Sequence, residues 1–201
     1  MSVERGKDWG EPGRVPADVE WADSDRAAAE IIARARRANR PIPAIALTAG
    51  DLSRTLGGHG ARLRDGEGTH VHVDLGAALI DGRLHWFLAH LVARHSWFRG
   101  RIVVAANAAF LGPWNIAPRA HPGDGRLDLL DGNPSFGDRL KARRRLRLGT
   151  HVPHPDISVR RVSATQLDFA EPMPIRLDGV RTGTTRSLSI RVEPDAVELW
   201  I

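Results

Sequence analysis

At 201 residues the chain can bury one good core or two small lobes that share an interface, and its lack of Cys excludes disulfides, thiolate zinc sites and a Cys nucleophile. Lys and Arg number 29 against 24 Asp and Glu, a net charge of +5 carried almost wholly by Arg; with so little Lys, a compositional bias explains this better than dedicated phosphate recognition. No stretch reaches the roughly 18 uncharged apolar residues that span a bilayer, and the first residues lack the apolar run of a signal peptide, so a cytoplasmic protein, at most peripheral to a membrane, is expected.

In chain order, residues 1–20 are polar and punctuated by Gly10, Pro12, Gly13 and Pro16, which predicts an extended tail. Asp23 or Ser24 can N-cap a helix with the apolar stripe Ala28, Ile31, Ile32 and Ala35, its Arg residues gathered toward the C-terminus where the dipole favours cations. Pro41 and Pro43 end it. A short buried strand, 44–47, leads through Thr48-Ala49-Gly50-Asp51 into a brief helix closed by Gly57-Gly58, with Asp51 read as its N-cap. After a loop bounded by Gly66 and Gly68, Val71, Val73 and Leu75 alternate with His70, His72 and Asp74, a half-buried strand with the polar set facing water. Asp81-Gly82 signals a hairpin, and 84–92 forms the return strand. His70 and His72 share a face at the spacing of a two-His metal site, but no third ligand is identifiable, and a solvated face is the plainer reading.

From Arg101 to Asp131 the chain reads as two strands flanking a loop punctuated by Gly112-Pro113 and Pro122-Gly123-Asp124-Gly125. Asp124-Gly125 suits a tight turn, and equally a cation site needing a carboxylate beside free carbonyls; spacing alone favours the turn. Residues 136–147 predict a basic amphipathic helix with Phe136, Leu140 and Leu146 inward and Arg139, Lys141, Arg143, Arg144, Arg145 and Arg147 outward. The remainder is β: 157–162, 166–169, 175–177, a turn at Asp178-Gly179, then 188–192 and 197–201. Ser53, Ser96 and Ser135 lack a nucleophile elbow, so a hydrolase triad is not supported.

Four ordered motifs carry a resemblance. Asn107 with Ile116-Ala117-Pro118, Asp124-Gly125-x-Leu127-Asp128, Gly149-Thr150-His151-x-x-His154-Pro155, and Leu177-Asp178-Gly179 followed by Gly183-Thr184-Thr185 together resemble the soluble, bacterial-type diacylglycerol kinase and lipid-kinase family. The resemblance implies an α+β fold: an α/β nucleotide-binding lobe, then a β-rich lobe, with the active site between them. It divides the chain into a polar tail (1–20), a truncated nucleotide-lobe remnant (21–66) and a β-rich lobe (67–201). The family carries several strands and helices ahead of its first phosphate motif, where about 22 residues stand here.

Carried over residue by residue, the family's Gly-Gly-Asp-Gly-Thr phosphate motif falls on Asp23-Ser24-Asp25-Arg26-Ala27, where only Asp25 matches. Side chains there stand where backbone must approach phosphate, and added carboxylate repels it. The second motif falls on residues 45–51 and keeps Thr48 and Asp51. The catalytic base, a Glu directly after Asp-Gly, is replaced by Val180 after Asp178-Gly179, and valine cannot accept a proton. Glu171 is the nearest upstream carboxylate, with nothing to position it. Asp124 corresponds to a position that holds a structural magnesium in some members, and His151 and His154 lie in a family motif with either a structural or a functional role.

The leading expectation is therefore a degenerate, non-catalytic member with ATP binding lost, magnesium at most at Asp124, and a binding or partner role. Arg143, Arg144, Arg145 and Arg147 would attract an anionic lipid surface. Apolar surface expected to lie bare around Ile31, Ile32 and Ile45 would call for a homodimer or a heteromeric partner. The alternatives are an active ATP-dependent lipid kinase acting on a diacylglycerol-like hydroxyl, and a nucleic-acid-binding protein, which lacks the aromatic platform that would accompany its Arg clusters.

Overall fold

A computed structural model describes residues 10–58 and 60–201. Its elements are β1 (Glu11–Arg14), β2 (Glu20–Ala22), α1 (Asp25–Arg37), β3 (Ile45–Leu47), α2 (Asp51–Thr55), α3 (Gly60–Arg64), β4 (Glu67–Ile80), β5 (Arg83–Phe87), β6 (His90–Arg94) and β7 (Ile102–Ala106). There follow β8 (Phe110–Leu111), β9 (Trp114–Asn115), β10 (Leu127–Gly132), α4 (Phe136–Leu146), β11 (Ile157–Val162), β12 (Ala164–Leu177) and β13 (Val180–Trp200). The fold is α+β, mostly antiparallel with few helices.

One sheet, in the order β1-β4-β13-β12-β6-β7-β10-β11, organises the chain, with β5 paired to β4 and β2 and β3 added at one end; β8 and β9 form a separate hairpin. Pairing is antiparallel except around β3, which lies parallel to both β2 and the end of β13 (Leu199↔Ile45). The two-residue turns at Asp81-Gly82 and Asp178-Gly179 place both residues at positive φ, the geometry that matches the twist of a hairpin. Strands on either side of the resulting fold bury Ile80, Phe87, Leu91, Val103, Leu129 and Leu188 in a common core. At Gly76 the Phe87 ring packs directly onto backbone, where an added Cβ would come within 2.2 Å of it.

The helical head has its own core. Ser24 caps α1 by accepting the Ala27 N–H, and Ala28, Ile31, Ile32 and Ala35 are the buried stripe, as the periodicity predicts. Ala28, Ile31 and Ile32 share a core with Ile45, Leu47, Leu52, Val71, Val73, Val197 and Leu199. Ile31, Ile32 and Ile45, expected to lie bare, are buried at 7%, 0% and 0% exposure, because β4 and the far end of β13 continue into the head and cover them. The need for a second chain at that place disappears.

Other expectations shift for local reasons. Residues 1–9 of the tail lie outside the described residues, but Glu11–Arg14 pairs with β4 and Glu20–Ala22 with β3, so that segment contributes two short strands to the sheet. The loop at Gly66-Gly68 is already β4 beyond Gly66. The return strand from Leu84 is interrupted at Leu88-Ala89, whose amides are diverted to the Asp178 carboxylate.

Candidate functional site

The residues that match the two phosphate motifs and the Asp-Gly turn of the base motif meet at the junction of head and sheet. Asp25, in the first turn of α1, turns its carboxylate onto the start of α2: Oδ2 accepts the Asp51 N–H at 2.6 Å and Oδ1 the Leu52 N–H at 3.2 Å. Gly50 is the N-cap of α2 and has no side chain to offer, so Asp25 supplies the cap from another helix. The Asp51 side chain is not the cap expected of it. It accepts the Gly112 N–H at 2.9 Å and ties α2 to the β8–β9 turn. Thr48 donates its hydroxyl to the Ala22 carbonyl.

Asp178, at φ 45°, accepts the N–H groups of Leu88, Ala89 and His90 at 2.8–2.9 Å. Burial, with Asp178 and Asp51 nearby, raises the Asp25 carboxyl to about 7. Burial also lifts Asp178 to about 6 against its three amide donors, and moves Asp51 upward. The His90 ring, whose Nε2 is 3.0 Å from the Ala108 carbonyl oxygen and whose Nδ1 sits 3.9 Å from Asp51, is pushed down to about 4 by burial and is neutral near pH 7. Three carboxylates thus converge, each facing backbone amides. A Cβ at Gly50 would lie 2.5 Å from the Asp25 carboxylate, so the space beside this glycine is filled.

Val180 lines a cleft of about 250 Å³ beside this cluster with Arg26, Glu30, Arg37, Trp86, Asp178 and Thr182. That is smaller than the roughly 300–1,000 Å³ of typical ligand pockets. Glu30 is engaged by Arg26 at 2.9 Å, and Glu171 lies elsewhere, exposed and facing Arg186 at 3.4 Å.

The β-lobe motifs assemble differently from their solvated reading. Asp74 is fully buried: it accepts the Gly125 N–H at 2.6 Å and the Asp195 N–H at 3.0 Å, clamping the Asp124-Gly125 turn against a bulge in β13. Asn107 donates to the Asp74 and Leu88 carbonyls at 2.7 and 2.9 Å. Asp124 forms an Asx turn with the Arg126 N–H and pairs with Arg161, so a guanidinium stands at the carboxylate proposed for magnesium. Arg161 also approaches Asp128 at 3.6 Å. Asp128, buried and raised to about 6 by desolvation, lines a second cleft of about 300 Å³ with Ile116, Ala117, Pro118, Arg119 and Gly149. Ile116, Ala117, Pro118, Asp128 and Gly149 belong to three separate sequence motifs, and the fold brings them to the wall of one cavity.

Arg143, Arg144, Arg145 and Arg147 of α4 and the turn after it are exposed, as expected. Arg139 is not: it is buried and donates to the Pro134, Trp97 and Gly100 carbonyls and to Asn133 Oδ1. Phe136 and Leu140, expected inward, are 65% and 54% exposed, next to Phe98 at 55%. Beneath α4 lies an apolar cavity of about 110 Å³ whose wall includes Trp97, Ile102, Leu146 and His151. His151 is held below its ordinary range by burial, and His154 accepts the Asp156 N–H through Nδ1 at 3.1 Å.

Among solved structures, a diacylglycerol kinase from Bacillus anthracis str. Sterne matches with a TM-score of 0.56 at 15% identity, covering 79% of this chain and 66% of that one. Two further chains from the same organism match at TM-score 0.58 and 14% identity, covering 79% of this chain and 69% of theirs. The likeness is one of fold, and this chain spans about two thirds of those chains. No curated protein matches. A family model described as the YegS C-terminal NAD kinase beta sandwich-like domain matches residues 67–201, which comprise the strands from β4 to β13 and the cleft walled by Asp128, and the chain belongs to that family.

Proposed function

We propose that this chain is a lipid-kinase-family protein that has given up phosphoryl transfer and works by binding, with the outer face of α4 directed at an anionic lipid surface. The observation that carries the first half is the Asp25 carboxylate on the Asp51 and Leu52 amides. Phosphate cradles need free backbone N–H groups and a cation, and here the amides at the start of α2 are already taken by a carboxyl group. Val180 at the position of the base, and the small cleft around it, support the same reading.

Support for the second half is the pairing of exposed Phe98, Phe136, Leu140 and Leu148 with the four exposed Arg residues. Apolar side chains that enter an interface, flanked by cations that meet lipid headgroups, are the chemistry of peripheral attachment. Each basic residue near such a surface contributes about 1 kcal/mol.

Thermal unfolding in ATP and magnesium, with and without diacylglycerol vesicles, tests the first half. A ligand that binds only the folded chain must raise the Tm, so no shift and no transfer of labelled γ-phosphate are expected. Either signal overturns it. Co-sedimentation with phosphatidylglycerol vesicles tests the second: binding that falls with salt and disappears when the four Arg residues become Ala is expected, and equal retention on neutral phosphatidylcholine vesicles would refute it.

A further inference from the structure

The outer face of β4 offers a site that the sequence leaves incomplete. His70 and His72, two residues apart, project from one side of the strand. In the antiparallel register of β13 on β4, Glu198 lies directly opposite His72 and Trp200 opposite His70. The four side chains therefore share a face. Ligand atoms of His70, His72 and Glu198 all lie within 4.8 Å of one another. His70 Nε2 is 2.9 Å from a Glu198 carboxylate oxygen, and the Trp200 ring packs against the His70 imidazole at 5.1 Å between centroids.

We propose that His70, His72 and Glu198 form a binding site for one divalent transition-metal cation, of which zinc is the best match. Two imidazoles and a carboxylate are a recurrent three-ligand zinc set, borderline in softness, and they leave a fourth position to water. Tetrahedral bonds of about 2.0–2.1 Å place neighbouring ligand atoms roughly 3.3 Å apart, which small side-chain rotations reach from the observed spacing. The backbone need not move, because the strands already set the register. The carboxylate that hydrogen-bonds His70 becomes a ligand when the cation binds. Trp200 limits the orientations of the His70 ring, so part of the ordering cost is met beforehand. Glu11, the register partner of His70 on β1, stands on the same face and adds negative charge beside the cation.

The other described cluster of this kind, Asp138, His154 and Asp156, is a weaker candidate. Its Asp138 carboxylate already accepts from Ser135 and Lys141, and the His154 Nδ1 is occupied by the Asp156 N–H. It serves as the internal control.

Isothermal titration of the tag-free, chelator-treated full chain with zinc chloride tests the site. One equivalent of zinc is expected to bind, the Tm to rise with free zinc, and the affinity to fall on acidification as protons compete for imidazole nitrogen. Cobalt should give the intense visible bands of a four-coordinate ion. His72→Ala and Glu198→Gln should each weaken binding at least tenfold, and His70→Ala with His72→Ala should abolish it. His154→Ala should change nothing. Glu198→Gln preserves volume, and each variant's unfolding curve without metal verifies its fold. Absence of zinc binding, unchanged affinity in the double His variant, or loss in His154→Ala would each overturn the assignment.

Discussion

The carboxylate of Asp25 holds the backbone N–H of Asp51 at 2.6 Å, so a residue kept from one phosphate motif satisfies a backbone donor of a residue kept from the other. Removing Asp25 should accordingly show up as lost stability. Asp25→Ala leaves two amides of α2 without an acceptor in a dry place, a cost of about 2 kcal/mol. For a domain of this size that lowers the Tm by roughly 4–8 °C. Asp25→Asn keeps one acceptor and should lose less. Equal Tm values for Asp25→Ala and wild type in scanning calorimetry would contradict the capping role.

The same group sets a pH dependence. Asp25, Asp178 and Asp128 stand at about 7, 6 and 6 in the folded chain against 3.8 in the unfolded one. The folded state therefore binds more protons between these limits, and the free energy of unfolding falls as pH rises. The stabilising contribution of these protons is complete below 3.8 and gone above about 7. Urea titrations at half-unit pH steps should show Asp25→Asn with a flatter slope than wild type between about pH 6 and 7. Identical slopes would place the ordinary carboxyl range back on Asp25.

Arg139 and Arg143 separate burial from surface charge within one helix. Arg139→Ala removes the donors that hold the Pro134, Trp97 and Gly100 carbonyls, and should cost about 2–4 kcal/mol. Lysine should not rescue it, because an ammonium cannot reproduce the planar fork. Arg143→Ala should change stability by less than about 0.5 kcal/mol. Chemical denaturation of the three variants decides this, and equal losses would rule out the distinction.

Gly76 faces the Phe87 ring with no room for a methyl group. Gly76→Ala should destabilise by about 1–3 kcal/mol through overpacking. Combining it with Phe87→Leu should cost less than the sum of the two single changes, because the smaller side chain relieves the clash. Strict additivity in a double-mutant cycle would mean that the two positions do not touch.

Much of this molecule could be read from local pattern. The α1 stripe, its Ser24 cap, the two hairpin turns and strand β11 follow from periodicities and turn chemistry confined to a few residues. Asp74 and Arg139 were misplaced because alternation assigns a residue to a face but does not say which distant loop docks on it. The Pro122–Gly125 turn covers Asp74, and the 97–100 segment covers Arg139. Glu198 was out of reach for a related reason, since its position opposite His72 depends on the register of β13 on β4, shifted by a bulge between Glu193 and Val197. Asp25 could be aligned with a motif, but its two amide partners lie on a helix whose approach only the packed head determines.

Strand β3 takes one of its two neighbours, β2, from the chain just ahead of it, and the other, the end of β13, from far downstream. A ribosome delivers α1 and β3 early and β13 late. Until then β3 lacks its second neighbour and the head core lacks Val197 and Leu199, whereas the hairpins of the sheet can zip up as they emerge. Birth order thus leaves the head as the last piece to set, and a nascent chain stalled before Val197 should be the form that chaperones seize.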